Sequence, residues 1–207
     1  MRQRSRTGRQ VAGGVLALAV TGACVVTVQA TQPAMAAPTQ PKDTFAIGDS
    51  VMLGARWIMR LRGMAVDAQV SRQATSGPAL LRARGSRLAR NVVVHLGTNG
   101  TFLRSTCDRV MRNAGPHRDV FWVTVWAPRK WIPSNNKILR SCVARYPGRA
   151  HVVDWAWAAA RHPSWLYSDH IHLRPDGARA FARIVRTAID REQAAATGRA
   201  TGPIRDQ

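Results

Sequence analysis

Five short, mostly apolar runs separated by helix-length amphipathic stretches constrain this 207-residue chain more than any other feature. The runs lie at 44–47, 65–70 (AVDAQV), 91–96 (NVVVHL), 120–126 (VFWVTVW) and 150–153 (AHVV). Such runs are the pattern of strands covered on both faces. Helical spacing of apolar residues falls between them, at about 50–62, 78–89, 101–113, 135–145 and 176–191. In the last, Ala178, Phe181, Ala182, Ile184, Val185 and Ile189 form one stripe. Strand alternating with helix predicts an α/β fold: a three-layer α/β/α sandwich around a five-stranded parallel sheet, in a single domain. The usual order for five such strands is 2-1-3-4-5, with the topological switch between strands one and three. The loops after those two strands then become neighbours at the carboxyl edge, where such sheets bind ligands.

The ends of the chain read differently. The start, MRQRSRTGRQ, carries four arginines and no acid, and is followed by an apolar segment and then by Ala34-Met35-Ala36. That layout predicts a secretory signal over 1–36. A retained N-terminal anchor is the alternative, because the apolar part from Val11 to Val28 approaches the lower limit for a spanning helix. Residues 37–43 read as a Pro-rich linker, 44–191 as the catalytic domain and 192–207 as a disordered tail. Export makes the protein secreted or cell-wall associated. A formal charge of +20 permits attraction to an acidic wall polymer. No zinc-finger, RNA-recognition or basic-zipper pattern is present, so nucleic acid is not an expected partner. Neither a metal nor another cofactor is expected.

Gly48-Asp49-Ser50 follows the first strand and precedes a helix, which puts Ser50 at the expected N-cap. A serine at such a turn sits among free N–H groups that favour developing negative charge. Gly97-Thr98-Asn99-Gly100 follows the third strand, so the switch point brings an asparagine amide beside Ser50 as a donor to an oxyanion. Asn-Gly is equally a turn signal. Before the last helix stands Ser168-Asp169-His170-Ile171-His172-Leu173. In a tight loop Asp169 can accept from one ring nitrogen of His172 while the other faces Ser50, the arrangement that lets a serine give up its proton.

GDS before a helix, G-x-N after the third strand and D-x-x-H before the last helix resemble the marks of the SGNH (GDSL-type) hydrolases and acyltransferases, over roughly residues 44 to 190. The stretches IGDSVMLGA, VSRQ, VVVHLGTNG, VTVWAPRKW, VVDWAWAA and SDHIHLRPDGARAFA are most similar to the extracytoplasmic catalytic domain of bacterial peptidoglycan O-acetyltransferases. The resemblance implies Ser50 as nucleophile, His172 as base and Asp169 as the orienting acid, with His170 at a variable position. It implies an oxyanion hole made by the backbone N–H groups of Ser50 and Ser71 and by Asn99. Two departures stand out. Ser71 occupies a place where many relatives have glycine, which is harmless at negative φ and strained at positive φ. Gly100 stands where many esterases of the superfamily have aspartate. Full-length members of that branch carry a membrane domain that supplies acyl groups, so a membrane acyl-donor protein is a candidate partner here.

The implied activity is transfer or hydrolysis of small O-acyl groups on an envelope polysaccharide or another small ester. The other reading is a catalytically silent, cationic wall-binding module on the same fold. Trp126, Arg129 and Trp131, after the fourth strand, are candidate substrate contacts, with Arg129 and Lys130 suited to an acidic substrate. For each tryptophan, core packing is the competing role.

Cys107 and Cys142 are the cysteines that remain once a signal is removed. They fall in the helices after strands three and four. With order 2-1-3-4-5, right-handed crossovers set those helices side by side on one face of the sheet, so the pair is expected to form a disulfide. Two buried thiols are the alternative.

Overall fold

A computed structural model describes residues 43–200. The expected signal or anchor and the linker up to residue 42 lie outside the described residues, as do residues 201–207. The elements are β1 (Thr44–Gly48), α1 (Ser50–Leu61), β2 (Met64–Ala68), α2 (Gly77–Arg84), β3 (Asn91–His95), α3 (Arg104–Ala114), β4 (Asp119–Val123), α4 (Ile132–Arg145), β5 (Ala150–Val153), α5 (Trp155–Arg161) and α6 (Pro175–Ala200). The five strands form one parallel sheet in the order β2-β1-β3-β4-β5, as the alternation of elements predicts. Gly48, ending β1, pairs in register with His95, ending β3, so the two loops leave the sheet side by side.

The strands divide their side chains between two apolar layers by the two-residue period of a strand. Phe45, Ile47, Val92, Val94, Val120 and Trp122 pack with residues of α2, α3 and α4. Ala46, Val66, Val93, Phe121, Val123 and Val153 pack with α1, α5 and α6. Cys107 of α3 and Cys142 of α4 are joined by a disulfide, with Cα atoms 6.2 Å apart, where the side-by-side placement of those helices puts them.

Three local features differ from the sequence reading. The N-cap of α1 is Asp49, not Ser50. Asp49 is extended (φ −95°, ψ −158°) and its carboxylate accepts the Val51 N–H at 3.1 Å, so Ser50 is the first helical residue and its hydroxyl is released from capping. A short helix, α5, occupies Trp155–Arg161, where the aromatic residues alone drew attention. It is capped by Asp154, which accepts the Trp157 N–H at 3.4 Å. Two turns are too few for a periodicity to register. Finally, α6 does not stop at 191: residues 192–200 are helical rather than a disordered tail. Glu192, Gln193 and Ala194 to Ala196 favour helix intrinsically, and Gln193 Nε2 donates to Asp43 Oδ2 at 3.4 Å. Among the described residues no helix is long and apolar enough to cross a membrane.

Candidate active site

The turn from β1 into α1 is as tight as glycine allows, since a Cβ on Gly48 would stand 2.5 Å from Met52 Cβ. That turn delivers Ser50 to the carboxyl edge of the sheet, half-buried. Its Oγ lies 3.0 Å from His172 Nε2. His172 Nδ1 lies 2.6 Å from Asp169 Oδ2, while Asp169 Oδ1 accepts the N–H groups of Ile171 (2.9 Å) and His172 (3.0 Å). Ser50, over a hundred positions away in the sequence, therefore joins His172 and Asp169 in one continuous hydrogen-bonded chain.

The loop carrying Asp169 and His172 is shaped by its own backbone. Leu166 and Leu173 form an antiparallel bridge, the Tyr167 N–H donates to the His172 carbonyl at 2.9 Å, and the His170 N–H donates to the Tyr167 carbonyl at 2.9 Å. His170 sits at the tip with φ 56°, exposed, and outside the hydrogen-bonded chain. Burial pushes the Asp169 carboxyl up, but the His172 side chain and the backbone N–H groups of Ile171 and His172 outweigh it, lowering the carboxyl from 3.8 to about 2. Asp169 is thus an anion at neutral pH, able to hold His172 Nδ1 protonated and leave Nε2 free to take a proton from Ser50.

The loop after β3 is held from α4. Buried Asn135 donates to the Gly97 and Gly100 carbonyls, both at 2.8 Å, and accepts the Phe102 N–H at 2.8 Å. Its neighbour Asn136 holds both backbone groups of Val125 at 2.9 Å, fixing the loop after β4. Neither asparagine stands out as functional in the sequence, where the signal is two adjacent amides at the start of an amphipathic helix. Asn99 Nδ2 is 3.4 Å from the Arg72 carbonyl, which ties this loop to the segment after β2. There Ser71 adopts φ 57°, the strained alternative for a non-glycine residue. Arg72 stabilises that turn: its guanidinium meets Asp67 Oδ1 at 2.7 Å, the Asp67 carbonyl at 2.6 Å and the Gly48 carbonyl at 3.4 Å. Gln73 Nε2 reaches the Asn99 carbonyl at 3.2 Å, and a Cβ at Gly100 would come within 2.8 Å of Gln73 Oε1. Glycine at position 100 leaves room for Gln73. Among the described residues, the Ser50 and Ser71 N–H groups donate to no other protein group.

Ser50, Thr98, Asn99, Arg129, Trp131, Ile171 and His172 line a cleft of about 280 Å³. Trp131 is fixed in place by its Nε1–H, which donates to the Thr98 carbonyl at 3.2 Å. Trp126 does not line this cleft and packs instead on the core beneath α1 and α6. Trp155 is buried and stacks with Trp165, whereas Trp157 is exposed under the Arg161 guanidinium. A larger hollow, about 430 Å³, lies between β5 and α6, away from Ser50. No group of three His, Cys, Asp or Glu side chains among the described residues is placed to hold a metal ion.

No family model matches the chain. Over 144 residues, 67% of its length, it is 30% identical to O-acetyltransferase OatA of Staphylococcus aureus. Over 152 residues, 72% of its length, it is 30% identical to YrhL of Bacillus subtilis, provisionally named a peptidoglycan O-acetyltransferase. The C-terminal catalytic domain of Streptococcus pneumoniae peptidoglycan O-acetyltransferase A superposes with a TM-score of 0.66 at 23% identity, covering 74% of this chain and 95% of that one. The sequence is thus similar to the OatA and YrhL O-acetyltransferases, and the fold is that of the SGNH (GDSL-type) hydrolase superfamily. Within it, a GDSL-like lipase from Bacteroides thetaiotaomicron shares the SGNH fold at TM-score 0.57 and 18% identity, over 76% of this chain and 93% of that one. The chain spans about a quarter of the curated relatives it matches, 24% of each.

Proposed function

We propose that this SGNH domain is an exported serine esterase or O-acyltransferase that acts on small O-acyl groups, acetyl above all, of cell-envelope glycans. The observation that carries the reading is the unbroken contact from Asp169 through His172 to Ser50, with 2.6 Å and 3.0 Å steps, opening onto a cleft. The printed names of the OatA and YrhL relatives support the substrate class. Ser50 Oγ attacks the ester carbonyl as its proton passes to His172 Nε2, and Asp169 steadies the imidazolium. The Ser50 and Ser71 N–H groups and the Asn99 amide stabilise the oxyanion, the last by turning from the Arg72 carbonyl towards the cleft. His172 then protonates the leaving alcohol. The acyl-enzyme is resolved by water in hydrolysis or by a sugar hydroxyl in transfer, with His172 as base again. Arg129, exposed at the cleft wall with its guanidinium 3.4 Å from the Pro128 carbonyl, contacts an acidic group on the substrate, and Trp131 offers a flat face to a sugar ring. In hydrolysis the acyl group is the substrate's own; in transfer a membrane donor protein is the candidate source.

The test is labelling by a fluorophosphonate together with hydrolysis of p-nitrophenyl acetate. Wild type and His170→Ala should label and turn over. Ser50→Ala and His172→Ala should lose several orders of magnitude while remaining folded. An unlabelled, inactive wild type would hand the chain to the other reading, a cationic wall-binding module.

A further inference from the structure

His95 is an anomaly in the site's foundation. It ends β3, its side chain is fully buried, and both ring nitrogens lack a well-formed hydrogen bond. Nδ1 lies 3.3 Å from Asp49 Oδ1, the same oxygen that caps the Val51 N–H. Asp49 is also fully buried, and its Oδ2, like Thr98 Oγ1, has no hydrogen-bond partner among the described residues. Four such atoms in one cluster run against the rule that buried polar groups are satisfied, and each carries a desolvation cost that no hydrogen bond offsets. The cluster therefore calls for a role other than stability.

Its place in the fold supplies one. His95 touches the turn before Ser50 and the helix that follows the Asp169–His172 loop, and it leads into the loop that carries Asn99. Its carbonyl accepts the Asp49 N–H at 3.3 Å, immediately before Ser50. Its own strand runs on into Thr98 and Asn99. Its ring meets Phe181 of α6 edge-on, with centroids 5.2 Å apart, and α6 is the helix that follows the Asp169–His172 loop. Burial pushes the Asp49 carboxyl up, but the His95 ring beside it, with the Val51 N–H, brings it below its ordinary value, so the cluster holds a carboxylate rather than a neutral acid. We propose that Asp49, His95 and Thr98 are positioning residues, a buried polar link that holds the Ser50 turn, the Asn99 loop and α6 in the relative placement the reaction needs. The proposal rests on the reading of Ser50 as nucleophile.

Three variants test it. His95→Leu fills the volume without a donor. His95→Asn restores an amide nitrogen near the place of Nδ1. Thr98→Val is isosteric. Each is measured for urea midpoint, for kcat and KM on p-nitrophenyl acetate, and for the rate of fluorophosphonate labelling. Displacements well under an ångström between reacting groups lower kcat by about 10–100-fold. We expect a loss of that size in His95→Leu, with KM within about twofold and a lowered midpoint, because the buried Asp49 carboxylate loses its partner, and recovery of most of the kcat in His95→Asn. Full kcat in folded His95→Leu would overturn the link, as would equal loss in the Leu and Asn variants with a lowered midpoint in both. Should His95→Leu not fold, Thr98→Val decides, since wild-type kcat there refutes the proposal. Wild type that neither labels nor turns over removes the nucleophile assignment itself, whereas labelled wild type with unaffected variants removes only the positioning link.

Discussion

Asp169 does two jobs with two oxygens. Oδ1 takes two backbone N–H groups and fixes the turn, while Oδ2 takes His172 Nδ1. The consequence can be read against pH. Its folded value, about 2, lies below the ordinary 3.8, so the associated stability is fully present above pH 3.8 and is lost as pH falls through about 2. Asp169→Asn should remove that dependence, flattening stability between pH 4 and 2 in acid titrations followed by circular dichroism. The same variant should lower kcat by about 10⁴-fold, because an amide does not hold the imidazole in the required tautomer. Retention of both the acid dependence and the activity would show that another carboxylate orients His172.

At the scale of elements, the active-site loop is positioned by where α6 begins. The Arg174 N–H donates to the Trp165 carbonyl at 2.8 Å, and Gly177, in the first turn of α6, packs directly over that carbonyl. A Cβ on Gly177 would stand 2.1 Å from Trp165 O, a backbone atom with nowhere to retreat. Gly177→Ala should therefore destabilise by about 1–3 kcal/mol, as overpacking does, and displace the 166–173 loop enough to depress kcat. Urea unfolding and ester hydrolysis measured together check both halves; wild-type values for both would mean that α6 can shift without moving His172. On the opposite face, α4 orders two loops through Asn135 and Asn136, so one helix sets the Gly97–Gly100 bend and the approach to Arg129 and Trp131.

For the whole molecule, the sheet order carries the longest-range consequence. It places α3 and α4 on one face, where the Cys107–Cys142 bridge closes a span of 35 residues. A loop of that length should stabilise the fold by about 3–4 kcal/mol in the chain-entropy model. Replacing both cysteines by alanine should then lower Tm by about 10 °C in a domain of this size. Mass spectrometry after alkylation should find Cys107 and Cys142 modified only when reductant precedes it. An unchanged Tm in the double variant would mean that the layer packed around Leu139, Val110 and Trp122 holds the helices together without the bridge.

Periodicity and turn chemistry are local, and what rests on them was legible along the chain: the five strands, the five longer helices, their order in the sheet and the pairing of Cys107 with Cys142. The convergence of Ser50, Asn99, Asp169 and His172 follows from that order, because parallel strands deliver their carboxyl ends to one edge. Contacts between segments distant in the chain leave no such trace. Whether Asp49 or Ser50 caps α1 turns on Asp49 being buried beside His95, and either residue is a good cap when read alone. That Ser71 tolerates φ 57° depends on Arg72 reaching back to Asp67 and Gly48. That Arg129 and Trp131 reach the cleft while Trp126 packs inward depends on the bend that Asn136 imposes on Val125. A sequence specifies which groups must be buried or turned; which partners they meet there is set by three-dimensional packing, where a few ångströms separate a hydrogen bond from an orphaned buried atom.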